Sequence, residues 1–211
     1  FANEGEALVP DATANQTFRA LGLVSAATFS DIDGDGDPDL VVAVEWGSIR
    51  VFRNDGGRFR DATASLGLDG YVGRWNGVAT GDFNADGRMD IVATNWGRNT
   101  LMDVSAANPW RLYFGDFDNS GTFDIVEAQP GASSSMIPVA DLARLMQAMP
   151  FLQRRIADYG EYADATVQSL LGSAVTNASS IEASTLDHML FINRGDRFDA
   201  VPLPWEAQLA P

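Results

Sequence analysis

Three nine-residue segments constrain this chain more than anything else in it: Asp31-Ile-Asp-Gly-Asp-Gly-Asp-Pro-Asp39, Asp82-Phe-Asn-Ala-Asp-Gly-Arg-Met-Asp90 and Asp116-Phe-Asp-Asn-Ser-Gly-Thr-Phe-Asp124. They share the pattern D-x-[DN]-x-[DS]-G-x-x-D, and each runs into two apolar β-formers: Leu40-Val41, Ile91-Val92 and Ile125-Val126. A recurring segment is the signature of a repeat architecture, and it fixes what the elements around it must do. The first loop residues stand 51 and then 34 positions apart, so something differs between the second and third units.

The pattern is a cation site in outline. Calcium takes six to eight hard oxygen ligands, and a tight loop supplies them from side chains at positions 1, 3, 5 and 9 and the carbonyl of position 7. Glycine at position 6 permits the sharp turn; Gly36, Gly87 and Gly121 stand there. The expected ligands are therefore Asp31, Asp33, Asp35 and Asp39; Asp82, Asn84, Asp86 and Asp90; and Asp116, Asp118, Ser120 and Asp124, with the carbonyls of Asp37, Arg88 and Thr122. Position 7 carries three unlike side chains, as expected where the backbone alone is used. Zinc is disfavoured, because the chain has no cysteine and a single histidine, His188. Magnesium usually keeps several waters rather than an all-protein cage. The expectation is up to three calcium ions, with loop 1, the richest in carboxylates, the tightest.

Charge points the same way. The formal net charge is −15, and eleven of the 29 acidic residues fall inside the three loops. Such crowding is repulsive without a cation. The same charge argues against a nucleic-acid backbone or an anionic membrane surface as partner. No apolar run approaches the roughly 20 residues that span a bilayer, and Phe1 to Pro10 lack the regions of a signal peptide. A start at Phe1 rather than Met reads as a processed chain or an internal piece.

Short runs rich in Val, Ile, Phe and Tyr flank each loop, so the loops join strands. Further hairpin turns are expected at Asn54-Asp-Gly-Gly57 and Asn193-Arg-Gly-Asp196. From about Val139 to Leu171 the spacing turns helical, with Val139, Leu142, Leu145, Met146 and Met149 on one face, a break at Pro150, a second stretch to about Tyr159 and a third from Glu161 to Leu171. Residues 1–211 thus read as one mainly β domain with a helical insertion over 139–171.

The loops resemble those of the FG-GAP/VCBS repeat family, which implies an integrin-α-like β-propeller with calcium in the first hairpin of each blade. Asp31 to Leu40, Ile49-Arg-Val-Phe-Arg-Asn-Asp-Gly-Gly-Arg-Phe59, Leu112-Tyr-Phe-Gly-Asp116 and the tail Pro202 to Pro211 are similar to bacterial relatives of cartilage acidic protein. So is the helical stretch with Met149-Pro-Phe-Leu152 and Tyr159-Gly-Glu-Tyr-Ala163. The resemblance implies an extracytoplasmic, often surface-attached adhesion or ligand-binding module without catalysis, its ligand a protein or carbohydrate. The chain departs from that family in size, since three loops and a partial fourth repeat are too few for a closed ring; the expectation is a partial propeller of about three to four blades, its ends covered by missing blades or by a second copy in a homodimer. The competing class is an enzyme acting on polysaccharide, which would need paired carboxylates outside the loops; Glu45, Asp103, Glu127 and Asp141 are available.

Several features read more simply. Arg194-Gly195-Asp196 spells an integrin-binding tripeptide but sits where the repeat requires a polar turn. Asn15-Gln-Thr17 and Asn177-Ala-Ser179 match glycosylation acceptors, a pattern frequent by chance. His188 lacks a catalytic constellation and reads as structural. Trp46 and Trp96, at matching places after loops 1 and 2, read as packing before they read as a sugar-binding face.

Overall fold

An Asp loop that joins two strands must close a hairpin, and all three do. The computed structural model describes residues 2–4, 7–9, 16–100, 102–131 and 135–209; the acceptor Asn15 lies outside the described residues. Loop 1 connects β3 (Leu23–Ser30) to β4 (Asp39–Gly47), loop 2 connects β8 (Gly77–Gly81) to β9 (Asp90–Thr94), and loop 3 connects β10 (Trp110–Gly115) to β11 (Asp124–Pro130). In each, the ninth loop residue is the first of the outgoing strand and pairs with the last of the incoming one: Ser30 with Asp39, Gly81 with Asp90, Gly115 with Asp124. An N-terminal hairpin of β1 (Ala2–Glu4) and β2 (Ala7–Val9) precedes them. The fold is mainly β, 38% strand against 18% helix, in antiparallel sheets consistent with part of a propeller.

The chain divides into two compact units, Phe1–Leu101 with Thr185–Pro211, and Met102–Ser184. In the first unit one sheet has the order β3-β4-β5-β6, with β5 at Arg50–Asp55, β6 at Arg58–Asp61 and the short β7 (Gly73–Arg74) paired to β4. The other sheet has the order β8-β9-β14-β15, with β14 at Met189–Asn193 and β15 at Phe198–Pro202. Residues 102–184 are thus inserted between the second and third strands of a single sheet. This accounts for the irregular repeat: the hairpin that follows loop 2 comes at the end of the chain. Alternation along β4 sends Val41 and Ala43 to one buried face and Val42 and Val44 to the other. The former join Ile49, Val51, Trp75, Ile91, Ala93, Met189 and Phe191 in a core shared by the two sheets, with Phe191 edge-on to Tyr71 and Trp75.

The second unit is a sheet ordered β12-β11-β10-β13, with β12 at Met136–Pro138 and β13 at Ser179–Ala183, covered by the helical stretch. That stretch comprises α1 (Leu142–Ala148), a 3-10 turn over Pro150–Arg154, α2 (Tyr159–Ala163), α3 (Val167–Leu171) and a further 3-10 turn over Gly172–Asn177. The third helical stretch is broken in two because Thr166 and Ser169 form a capping box: each side chain accepts the other's backbone N–H, which starts a new helix. Leu142, Leu145, Met149, Leu152, Ile156, Leu170 and Leu171 are buried with Val126 and Ala128 of β11, while Arg144, Gln147, Arg154 and Arg155 are exposed. The sheet face and the helical face close on one another as a two-layer unit. Among the described residues no helix is long and apolar enough to cross a membrane.

Candidate metal loops

The aspartate at position 1 organises each loop from within. Asp31 accepts N–H groups from Gly34, Asp35 and Gly36 at 2.8, 3.1 and 3.1 Å. Asp82 accepts from Asp86 and Gly87 at 3.0 and 2.9 Å, and Asp116 from Ser120 and Gly121 at 2.9 and 2.9 Å. This curl puts position 6 at positive φ, as its glycine allows: 95° at Gly36, 86° at Gly87 and 83° at Gly121. Position 4 is also left-handed in all three, at Gly34, Ala85 and Asn119, which the sequence pattern did not mark.

Position 9 fixes the loop to its strand. Asp39, Asp90 and Asp124 are buried, and each accepts the N–H of position 2, from Ile32, Phe83 and Phe117 at 2.9, 3.0 and 3.0 Å. Asp39 and Asp90 each accept a second N–H, from Asn54 and Asn193, both at 2.8 Å. Those two asparagines also donate their side-chain amides to the carbonyl at position 8, Asn54 to Pro38 and Asn193 to Met89, both at 3.0 Å. Asn193 reaches further, to the loop 1 carbonyl of Ile32 at 2.8 Å. Sequence reasoning took Asn54 and Asn193 only as turn residues. The signal that marks them as equivalent is Phe52-Arg-Asn-Asp-Gly-Gly-Arg-Phe59 beside Phe191-Ile-Asn-Arg-Gly-Asp-Arg-Phe198, an F-x-N-x-G-x-R-F match. Among the described residues no asparagine caps Asp124 in this way.

The loops then diverge in what their carboxylates meet. Oxygens of Asp31, Asp33 and Asp39 lie within 4.8 Å of one another, and so do those of Asp116, Asp118 and Asp124. Two oxygens bound to one calcium ion at about 2.4 Å cannot be farther apart than about 4.8 Å, so both trios fit a shared ion. Burial pushes Asp39 above the ordinary carboxylate value; the Asn54 and Ile32 N–H groups oppose this, and repulsion from Asp33 and Asp35 adds to it. Asp124 is raised for the same reasons, burial first, opposed by the Phe117 N–H, with Asp118 and Asp116 as the repelling neighbours. Asp35 accepts the Asp37 N–H at 2.8 Å, while the Asp37 carboxylate turns away to accept from Gly56 at 2.8 Å. Ser120 and Thr122 share a hydroxyl hydrogen bond at 2.8 Å.

In loop 2 position 3 is Asn84, so the third carboxylate of the other two trios is an amide here. Arg88 Nη2 donates to Asp86 Oδ2 at 2.8 Å, and Asn84 Nδ2 donates to the same oxygen at 3.0 Å. Desolvation pushes Asp86 up, but the Arg88 N–H, the Asn84 amide and the Arg88 guanidinium together hold it below the ordinary carboxylate value.

The other candidates fall to packing. His188 is buried; its Nδ1 accepts the Asn95 N–H at 2.7 Å, and its backbone exchanges two hydrogen bonds with Gln208. Trp46, Trp75 and Trp110 are buried. Arg74 stands 5.5 Å from the Trp46 ring centre and 4.5 Å from that of Trp96, and is ion-paired with Glu45 at 2.7 Å, which removes that acid from the pool of free carboxylates. Arg194 is paired with Asp199 at 2.7 Å within the β14–β15 turn, Gly195 taking φ 92°. Glu127 and Asp141 line one cleft of about 500 Å³ in the second unit with Arg144; Asp141 also caps α1 by accepting the Arg144 N–H at 2.9 Å.

Comparison with known proteins follows this geometry. Residues 31–93, which contain the first two loops, match the model of the FG-GAP-like repeat. Cartilage acidic protein 1 of Homo sapiens is 38% identical over 100 residues, covering 46% of this chain and 14% of the human protein. The Mus musculus and Xenopus tropicalis proteins of that name are each 36% identical over 80 residues. The chain therefore spans about one seventh of the human relative's length or less. Over residues 31–93 this chain carries an FG-GAP-like repeat, set in a mainly β, antiparallel fold and similar to part of cartilage acidic protein 1.

Proposed function

We propose that this chain is a calcium-stabilised, extracytoplasmic module of β-propeller type that serves in adhesion or in binding a protein or carbohydrate ligand, and is not an enzyme. One observation carries the calcium reading: two separate loops each bring three aspartates within the span of a single ion's coordination sphere. The donor set is all carboxylate, carbonyl and hydroxyl oxygen, the chemistry calcium prefers. When bound, the ion would neutralise the repulsion within each trio and tie the loop to its outgoing strand. Loops of this kind in extracellular modules hold calcium with dissociation constants of about 0.1 to 1 mM, which supports a compartment rich in the ion. Chelation followed by melting tests this. With free calcium about tenfold above each constant, linkage gives about 1.4 kcal/mol per occupied site. A melting temperature unchanged by excess chelator, after ion removal is verified, would end the reading.

The polysaccharide-enzyme reading has one observation in its favour, the cleft that Glu127 and Asp141 share. It predicts cleavage of a polysaccharide that is lost in Glu127→Gln and in Asp141→Asn. Equal turnover in both variants and the parent would leave the binding reading.

A further inference from the structure

The second loop departs from the other two at position 3, where Asn84 replaces Asp33 and Asp118, and at position 7, where it alone carries a cation. Arg88 stands at position 7, where loop 1 has Asp37 and loop 3 has Thr122. Its guanidinium is held at two points: Nη2 donates to Asp86 at 2.8 Å, and Nε donates to the Asn193 carbonyl at 3.0 Å. The second point is a rigid one. Asn193 is 1% exposed, its N–H is given to Asp90, and its side chain spans the carbonyls of Ile32 and Met89. A planar fork fixed at Nε presents its remaining N–H groups in one direction, and here that direction is the loop's own carboxylate.

The arginine and its neighbours engage Asp86 from several sides. The Asn84 amide nitrogen donates to Asp86 Oδ2, and its oxygen accepts the Asp86 N–H at 3.0 Å. Asp86 Oδ1 accepts the Arg88 N–H at 3.0 Å. Asp82 and Asp90 stand at positions 1 and 9, and position 3, the third member of each converging trio in loops 1 and 3, is Asn84. Loop 1 also has an arginine nearby, but Arg53 approaches from β5 with its Nε 3.4 Å from Asp33, an ion pair without hydrogen-bond geometry, and Asp31, Asp33 and Asp39 converge regardless.

We propose that Arg88 is the resident cation of loop 2, its guanidinium filling the charge role that calcium fills in loops 1 and 3, so that this chain takes two calcium ions and Arg88 sets that number. The inference rests on the calcium reading of loops 1 and 3. It makes loop 2 a permanently closed hairpin whose geometry does not depend on the calcium concentration outside, next to a loop whose geometry does.

Equilibrium dialysis of the 211-residue chain against calcium alone counts the ions directly. The expected counts are two for the parent and three for Arg88→Thr, which copies loop 3, and for the uncharged Arg88→Gln. If one variant fails to fold, the other decides. A parent count of three would overturn the proposal, as would a variant that folds and gains no ion. The gain on substitution, not the absolute count, is what reports on Arg88. A parent count of zero would refute the calcium reading, and a gain of one ion in the variants would then still support the arginine's role. The double variant Asp31→Asn, Asp116→Asn separates the two further: it should bind no ion, and adding Arg88→Thr should restore one.

Discussion

Loops 1 and 2 are built alike and equipped differently. Both curl around the aspartate at position 1, both bury the aspartate at position 9, and both are capped by an asparagine that donates its backbone N–H to that buried carboxylate and its amide to the carbonyl at position 8. In loop 1 Asp33 converges with Asp31 and Asp39, whereas loop 2 has Asn84 at that position and an arginine that closes on Asp86. The backbone scaffold of such a loop is therefore independent of what neutralises it. Spacing specifies the hairpin, and the side chains at positions 3 and 7 set the charge within it.

The largest effect should come from the part the loops share. Asp39→Ala and Asp90→Ala each leave two N–H donors, one buried and one part-buried, without their acceptor, costing about 2 to 5 kcal/mol in chelator. Urea unfolding of both variants should give losses within about 1 kcal/mol of one another. A much smaller loss at Asp90 would break the claim of a common scaffold.

Next in size are the caps. Asn193→Ala removes three side-chain hydrogen bonds, those donated to Ile32 and Met89 and the one accepted from Gly195, where Asn54→Ala removes two, the one donated to Pro38 and the one accepted from Gly57. Buried Asn193 should cost about 2 to 3 kcal/mol and the more exposed Asn54 about 1. The reverse order would mean that the link from the β14 turn to loop 1 contributes little.

Calcium itself sharpens the contrast at about 1.4 kcal/mol per occupied loop at tenfold excess. Asp31→Asn should remove the calcium-dependent part of the stability that belongs to loop 1, and Asp82→Asn should leave the calcium dependence unchanged. Melting curves with calcium and with chelator measure this, and an equal loss in both variants would contradict an ion-independent loop 2.

The smallest effect belongs to Arg53. Its pairing with Asp33 is partly exposed and lacks hydrogen-bond geometry, so Arg53→Ala should change stability by less than about 1 kcal/mol in chelator. Calcium affinity at loop 1 should rise slightly, because a cation near a ligand carboxylate is gone; a fall would show that Arg53 holds Asp33 in place for the ion.

Much of this was legible in the chain. Position-specific Asp and Gly forced the hairpin loops, the β-former run from Leu40 to Val44 forced a strand, and the spacing of Leu142, Leu145 and Met149 forced a helix with one apolar side. The helical stretch from Glu161 was less legible, because a capping box at Thr166 outcompetes continuous helical spacing, and only the hydrogen bonds between Thr166 and Ser169 display it. The pairing of β9 with β14 was not read at all. It joins residues about a hundred positions apart, and no local propensity reports on such a contact.

By itself the sequence determined the loops, their oxygen-donor chemistry and the mainly β class, because those follow from residue type at fixed local spacing. The tertiary structure decided what Arg88 meets. That depends on where a distant strand sets its carbonyl: Asn193 arrives beside loop 2 only because β14 pairs with β9, and its oxygen then holds Arg88 against Asp86. A charge placed by a contact of such long range has no signature in the nine residues it controls.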